Sequence, residues 1–397
     1  MWRPSWQHSG QHAMGILTTQ TEDDPPFLNR DFYRRLCLYG RRSGLTVFVF
    51  TPQGFDWPHL EVFGFTYDDA HGWVPGRFPL PALVYDRCFF TSKQQYAEYR
   101  LALRRLQEHR SVRLLGCGLK GKWDTEQLLR RDGRFDRYLP QTQVLRSMRT
   151  LAAWLQDRRE AVLKPQGGSQ GRGVLLVRRE GADAPGSTEN DAGASFSVRG
   201  RDARNRGLER RFAGEAALLR WLRRFVAQRS YLLQQYLLLQ TRTGDAYDVR
   251  ALVQKDGAGR WQLTGMAVRR GQGGSLTSNL HGGGTALPAE GFLAREFGPA
   301  RAEELQRELT RLALQLPEAL ESRHGRLAEL GIDFGVDTGG NIWILEVNSK
   351  PGRSIFTYVQ DHHGRHEAIA NPIRYARFLL TQLQPAVTER QRNINAR

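Results

Sequence analysis

Gly331-Ile-Asp-Phe-Gly-Val-Asp337, the turn Thr338-Gly-Gly-Asn341, and Ile342-Trp-Ile-Leu-Glu-Val-Asn348 decide how the rest of the chain is read. Two apolar, strand-like runs flank a Gly-Gly turn, the signature of a β-hairpin. With the loop taken as residues 338–341, counting outward from the turn sets Asp333 opposite Glu346. Side chains alternate along a strand, so Asn348 shares the face of Glu346. Directly opposed Cβ atoms lie ~5 Å apart, where two carboxylates repel. A divalent cation between them removes the conflict. Two carboxylates and an amide oxygen form a hard, all-oxygen set suited to Mg²⁺ or Mn²⁺, with positions left for water or phosphate oxygens. The alternative is a surface hairpin with solvated acids; Ile332, Phe334, Ile344 and Leu345 argue for a buried one. Asp337 has the parity of Asp333 but adjoins the turn, where Asp is expected on local grounds.

Upstream, Lys164-Pro-Gln-Gly-Gly-Ser-Gln-Gly-Arg-Gly173 has the character of a phosphate cradle. Gly167, Gly168, Gly171 and Gly173 let backbone N–H groups approach an anion, Ser169 adds a donor, and Lys164 adds a point charge. The loop is not a Walker A motif, because the terminal Gly-Lys-[Ser/Thr] is missing. By itself it fits a structural hairpin equally well. Tyr231–Leu239 reads as a buried strand carrying the amides of Gln234 and Gln235. It is either an ordinary core strand or one that presents Gln235 and its backbone to an adenine edge. In Tyr247-Asp-Val-Arg250, the arginine either stabilises charge on a transferred phosphoryl group or closes an ion pair with a nearby acid. Asn279, His281 and Gly282-Gly-Gly284 are expected in a mobile loop over the site, with His281 more often structural than catalytic in such a setting.

A chain of 397 residues is too long for one ordinary core, and 40% hydrophobic with 25% charged residues is a globular balance. The formal net charge is +17. Only six of the 58 basic residues are lysines, and arginines are spread along the whole chain, a usage that fits codon bias in a GC-rich genome. No recognition motif or concentrated basic stripe accompanies the charge, so a specific nucleic-acid partner is not expected. Where lysine persists, a compact ammonium is selected over a guanidinium; Lys122, Lys164 and Lys350 are such positions. No apolar run approaches the ~20 residues that cross a bilayer. The polar stretch Met1–Met14 lacks the apolar core of a signal peptide. Cys37, Cys88 and Cys117 are scattered and read as reduced thiols. These features predict a cytoplasmic protein.

Strand-like runs at Met14–Leu17, Thr46–Phe50 and Ala82–Tyr85, with helices at Arg30–Arg42 and Tyr96–Glu108, predict an N-terminal α/β lobe over 14–118. A Gly/Pro-rich region fills 54–81. A central lobe is expected over 119–240, with a hairpin at Ala161–Lys164 and Val174–Arg178, a mobile insertion at 180–195, and an amphipathic helix at Ala213–Gln228. A third lobe spans 241–383, with strands around Val249–Gln254 and Trp261–Arg269. Its long helix carries Leu305, Leu309, Leu312 and Leu316 on one stripe, and Pro317 is expected to end or kink it. Residues 1–13 and 384–397 are read as flexible ends.

Taken in order, Lys122, Lys164 with its glycine loop, the Gln-rich strand, Asp248-x-Arg250, Asp333 and Glu346-x-Asn348 resemble the ATP-grasp superfamily over roughly 120–377. Lys122-Trp123 before Tyr138-Leu-Pro-Gln-Thr142, His281-Gly-Gly-Gly284, Glu346-Val-Asn-Ser-Lys-Pro-Gly352 and Pro81-Ala-Leu-Val-Tyr-Asp-Arg87 are similar to its YheC/YheD spore-coat-associated branch. The resemblance implies an α/β fold of α+β lobes, with an N-terminal pre-ATP-grasp lobe and two further lobes clamping ATP. It implies that Lys122 and Lys164 contact phosphates, that the loop at Gly167, Gly168, Ser169 and Gly171 closes over them, and that Gln234, Gln235, Tyr236 and Leu237 hold adenine. Asp333, Glu346 and Asn348 would bind Mg²⁺ or Mn²⁺. Gln235 stands where an acidic residue is common in the superfamily, which leaves the ribose contact open. The implied activity is a carboxylate–amine or carboxylate–thiol ligation through an acyl-phosphate. Arg250 and Lys350 are the expected catalytic residues, and Lys350 with Arg353 is expected to hold an acidic acceptor. The alternative is a nucleotide-binding assembly protein of the spore coat, with coat proteins as partners.

Overall fold

The computed structural model describes residues 12–168, 171–180, 194–271, 278 and 283–394, with side chains to residue 382. The sequence readings at Ser169, Asn279, His281 and Gly282, and most of the 180–195 insertion, lie outside the described residues.

The N-terminal third runs β1 (Ala13–Leu17), α1 (Arg30–Arg42), β2 (Thr46–Phe50), β3 (Phe55–Asp56), β4 (Glu61–Asp68), β5 (Gly72–Pro79), β6 (Leu83–Asp86), α2 (Lys93–Glu108) and β7 (Arg113–Leu114). β2, β1, β6 and β7 are parallel, and β4 with β5 extends the sheet as an antiparallel hairpin. That hairpin occupies the region noted only as Gly/Pro-rich. Along β4, Val62, Gly64 and Thr66 alternate inward, the period-2 pattern of a half-buried strand. In α1, Tyr33, Leu36, Cys37 and Gly40 form the buried stripe. A Cβ at Gly40 would collide with Val47 Cγ2, so no larger side chain fits without a shift. Burial pushes the Cys37 thiol up to about 12, and all three cysteines are free.

The middle section holds α3 (Lys122–Asp132), β8 (Thr142–Val144), α4 (Met148–Arg158), β9 (Glu160–Pro165), β10 (Leu175–Glu180), β11 (Ser195–Arg201), β12 (Gly207–Phe212), α5 (Glu215–Val226) and β13 (Tyr231–Gln234). Its six strands form an antiparallel sheet in the order β12-β11-β10-β9-β13-β8. Leu151 and Leu155 of α4 and Leu218 and Leu222 of α5 pack on one face with Ala161, Leu163, Val177 and Val198. The strand expected over 231–239 ends at Gln234. Beyond it the chain leaves the strand as an irregular link, and its backbone no longer pairs with β9.

The last section holds β14 (Tyr247–Lys255), β15 (Trp261–Arg270), β16 (Thr285–Pro288), α6 (Ala289–Phe297), α7 (Pro299–His324), β17 (Glu329–Val336), β18 (Ile342–Asn348), α8 (Ile355–Tyr358) and α9 (His362–Ile394). The antiparallel order is β16-β15-β14-β17-β18. α7 runs on past Pro317 to His324, so of the two expectations at this residue, an end or a kink, the end does not occur. Pro317 is buried beside Leu316 and Leu320, and packing outweighs the local cost of one missing hydrogen bond. None of the helices, over the described residues, is long and apolar enough to cross a membrane.

Two packing facts cut across boundaries drawn along the chain. Leu129, Phe135, Tyr138 and Leu139, which precede the middle sheet, belong to the core of the last one. Ile373, Tyr375, Ala376, Leu379 and Leu380 of α9 return to complete the core of the first sheet.

Candidate functional site

The β17–β18 hairpin sets Asp333 opposite Glu346, Ile332 opposite Val347 and Gly331 opposite Asn348. Nearer the turn the pairing is offset by one residue. Phe334 faces Ile344, Val336 faces Ile342, and Asp337 N–H donates to Asn341 O at 3.0 Å. The turn is therefore one residue tighter in register than a 338–341 loop implies. A β-bulge at Leu345 restores the expected pairing at Asp333. Ile342, Ile344 and Val347 face the core, while Trp343, Glu346 and Asn348 face the other way. Asp337 is a turn residue, with Oδ1 accepting the N–H groups of Gly339 and Asn341.

Asp333 is 7% exposed and carries two guanidiniums. Arg250, directly opposite it on β14, donates Nε to Oδ1 and Nη2 to Oδ2, the latter at 2.9 Å. Arg269 Nη2 lies 3.0 Å from Oδ1. Burial alone would raise the Asp333 pKa; the positive charges of Arg250 and Arg269 outweigh it and hold the carboxyl below its ordinary value. Arg269 also grips Asp248, with Nε and Nη2 each 2.7 Å from a carboxylate oxygen. Burial, reinforced by the negative charge of Asp333, pushes Asp248 upward despite Arg269. Glu346 pairs with Lys122 Nζ at 3.3 Å. Lys164 is close enough to feel Lys122, Glu126 and Glu346; burial first, then the charge of Lys122, lowers its pKa to about 8.

Asp333, Glu346, Asn348, Lys122, Lys164 and Arg250 thus form one constellation. An open donor set of two carboxylates and an amide would hold a hard cation once the guanidiniums on Asp333 give way. Among the described residues, no three His, Cys, Asp or Glu side chains make a metal cluster without that amide. Gly167, Gly168 and Gly171 lie in the connection between β9 and β10. Gly168 and Gly171 have φ of 109° and 68°, where a side chain would be strained.

The link after β13 places the remaining expected residues unequally. Gln234 is buried, and its Nε2 donates to Thr142 Oγ1 at 2.8 Å. Gln235 Oε1 accepts the Gln141 N–H at 3.3 Å, and Gln235 N–H donates to Gln141 O at 2.9 Å. The Tyr236 ring lies under the Arg178 guanidinium, 4.9 Å from centroid to Cζ; Leu237 follows in the same link.

Lys350 is paired outside that constellation. Its Nζ is 2.7 Å from Asp86 Oδ1 and donates to Cys88 O at 3.0 Å. Arg353 is paired with Glu329. Both side chains therefore serve the junction between the first and last sheets. There Glu329, 3% exposed, accepts Tyr85 Oη at 2.5 Å, Arg87 Nη1 at 2.8 Å and Gln254 Nε2 at 3.0 Å. Arg269 carries no motif in the sequence, and Asp248 enters it only within Asp248-x-Arg250. The Asp-x-Arg spacing on β14 was the available signal, since 248 and 250 share a face. A separate groove of about 920 Å³, lined by Phe55, Trp57, Phe63, Arg77 and Arg105, is bordered by none of these residues.

A sequence model described as YheC/D-like ATP-grasp matches residues 111–379. The endospore coat-associated protein YheC of Bacillus subtilis (strain 168) is 27% identical over 363 residues, covering 91% of this chain and 96% of that protein. The coat-associated protein YheD of the same strain is 28% identical over 357 residues, covering 89% and 75%. Among solved structures, the D-cycloserine synthetase DcsG aligns with a TM-score of 0.53 at 16% identity, over 93% of this chain and 99% of that one. The D-alanine–D-alanine ligase from Coxiella burnetii aligns at 0.51 and 12% identity, over 97% and 100%. At such identities these two structures establish a shared fold.

Proposed function

Because the chain belongs to the YheC/D-like ATP-grasp family, we propose that it is an ATP- and Mg²⁺-dependent ligase joining a carboxylate to an amine or a thiol. The observation that carries this reading is the opposition of Asp333 and Glu346, with Asn348 beyond them and Lys122 paired to Glu346. Asp333, Glu346 and Asn348 would hold the cation, which supplies charge neutralisation at the β- and γ-phosphate oxygens. Lys122 and Lys164 meet the phosphates, and the loop containing Gly167, Gly168 and Gly171 lays backbone N–H groups over them. Gln235, Tyr236 and Leu237 meet the adenine from the link, while the Gln234 amide stays with Thr142.

A carboxylate oxygen of the substrate attacks the γ-phosphorus, the bond to the bridging oxygen breaks, and ADP leaves with the electron pair. The amine nitrogen or thiol sulfur then attacks the acyl carbon, phosphate departs, and the attacking group loses its proton to solvent. Arg250 and Lys164 stabilise charge on the transferring group, so catalysis is mostly positioning and electrostatics. Lys350 contributes if a substrate carboxylate takes the place of Asp86 at its ammonium.

The test is ADP release with Mg²⁺ and a panel of carboxylate–amine pairs, together with mass spectrometry of cell extract for a condensed product. Glu346→Gln is expected to stay folded and to lose at least a hundredfold in turnover, in line with removing a catalytic electrostatic group. Turnover equal to the parent would overturn the site assignment.

A second reading is a nucleotide-binding assembly protein of the spore coat with little chemistry. The coat association named for YheC and YheD, and the two arginines already on Asp333, favour it. Tight ATP binding without ADP formation in any extract would select it over the ligase.

A further inference from the structure

Asp248 is buried and lies outside the ligand set described above. It holds Arg269 with two bonds of 2.7 Å and accepts Ser278 Oγ at 2.5 Å. Pairing registers place Arg269 opposite Asp248 and Arg250 opposite Asp333. One face of the sheet therefore carries a charge row from β15 to β18: Arg269, Asp248 with Arg250, Asp333, Glu346, closed by Lys122 of α3. In that row Asp333 is shared by two guanidiniums, and Arg269 is shared by two carboxylates.

This sharing is asymmetric. A cation approaching Asp333 alone meets a carboxylate already neutralised and two positive groups beside it. Nucleotide phosphates change the balance, because their oxygens offer guanidiniums charge-assisted bonds of their own. Arg269 can then withdraw from Asp333 without losing its carboxylate, since both bonds to Asp248 remain. We propose that Arg269 keeps Asp333 closed to a free divalent cation until nucleotide phosphates arrive, and that Asp248 is the positioning residue that shares its charge and retains it when it withdraws. The proposal rests on reading Asp333, Glu346 and Asn348 as the metal set. It makes metal capture follow the nucleotide and protects the carboxylate pair from stray cations.

The experiment is Mn²⁺ binding to the full-length, nucleotide-free protein, followed by loss of the free-Mn²⁺ paramagnetic resonance signal. Parent protein should bind weakly. Arg269→Gln uncovers Asp333 and should tighten Mn²⁺ binding on the order of tenfold, within the range that outer groups exert on metal affinity. Arg250→Gln, which removes the other cover, should act in the same direction and stands in if Arg269→Gln fails to fold. Asp248→Asn leaves the whole charge of Arg269 on Asp333, and should weaken binding further. A merely structural defect would move all three variants the same way. Adding Glu346→Gln to Arg269→Gln should abolish the gain. If the gain persists in that double variant, the metal reading itself is wrong, and this proposal falls with it. If Glu346→Gln removes Mn²⁺ binding but Asp248→Asn and Arg269→Gln shift it alike, or not at all, only the role of Asp248 and Arg269 is overturned.

Discussion

The charge of Lys164 depends on its surroundings. Its pKa near 8 results from burial and from Lys122. A group whose folded pKa is depressed binds fewer protons folded than unfolded between the two values. Ligand-free stability therefore gains from Lys164 as pH rises from about 8 toward its ordinary 10.5. Anionic phosphates beside the ammonium push the pKa back up. Nucleotide binding at pH 8 should accordingly take up about half a proton at this site, and almost none at pH 6. Calorimetric titrations in buffers of different ionisation enthalpy measure that uptake. Lys164→Met should abolish the pH 8 component. Uptake unchanged in that variant would assign the proton elsewhere. Lys122, Lys164 and Arg250 were legible because each sits in a local motif. The Asp248–Arg269 pair was not, because it depends on which residue of β15 lies across from β14, a pairing with a bulge of its own at Leu252 and Val253.

At the scale of the element, the β17–β18 hairpin sets Asp333 opposite Glu346 although its turn is one residue tighter than a 338–341 loop. Ile342-Trp-Ile-Leu345 is apolar throughout, so no alternation marked which two residues face the core. Both registers left hydrophobic groups inside, and only the packed structure selects Ile342 and Ile344 over Trp343 and Leu345. The bulge makes two opposite expectations for single-residue deletions. Removing Leu345 regularises the ladder and leaves Glu346 across from Asp333, so nucleotide-dependent Mn²⁺ binding should survive. Removing Val347 moves Asn348 onto the core side, where an unsatisfied amide costs about 1–3 kcal/mol, and metal binding should be lost. Thermal melts and Mn²⁺ titration of the two deletions compare them directly. The link after β13 departs from the expected strand for a related reason. An apolar run continuing from Leu237 to Leu239 looks like strand, yet pairing partners, absent from local sequence, stop at Gln234.

For the whole molecule, Glu329 joins the first sheet to the last through Tyr85, Arg87 and Arg353. Burial would raise its pKa, but Arg353 and Arg87 hold it below the ordinary value. A depressed carboxyl contributes stability above its unfolded pKa and loses it as pH falls through the folded one. Glu329→Gln strands two arginines and should cost about 3–5 kcal/mol at neutral pH. The deficit relative to the parent should shrink on acidification from about pH 4.5 downward. Denaturant titrations at pH 7 and below 4 test both halves; a gap that does not narrow would place the effect in packing instead of charge. The α/β class and the succession of strands and helices were open to sequence reading because each lobe repeats a local pattern. Which segments share a core was hidden, because Phe135 and Leu139 pack with a sheet whose strands begin more than a hundred positions later.

The return of α9 to the first core also has a consequence for biosynthesis. β1, α1 and β2 leave the ribosome first, but Ile373, Ala376 and Leu380 cover them last. At ~5–20 residues per second, the nascent N-terminal sheet waits on the order of 20–70 s with that side uncovered. Chains cut short before α9 would leave the ribosome with this face exposed, a natural mark for chaperones and proteases.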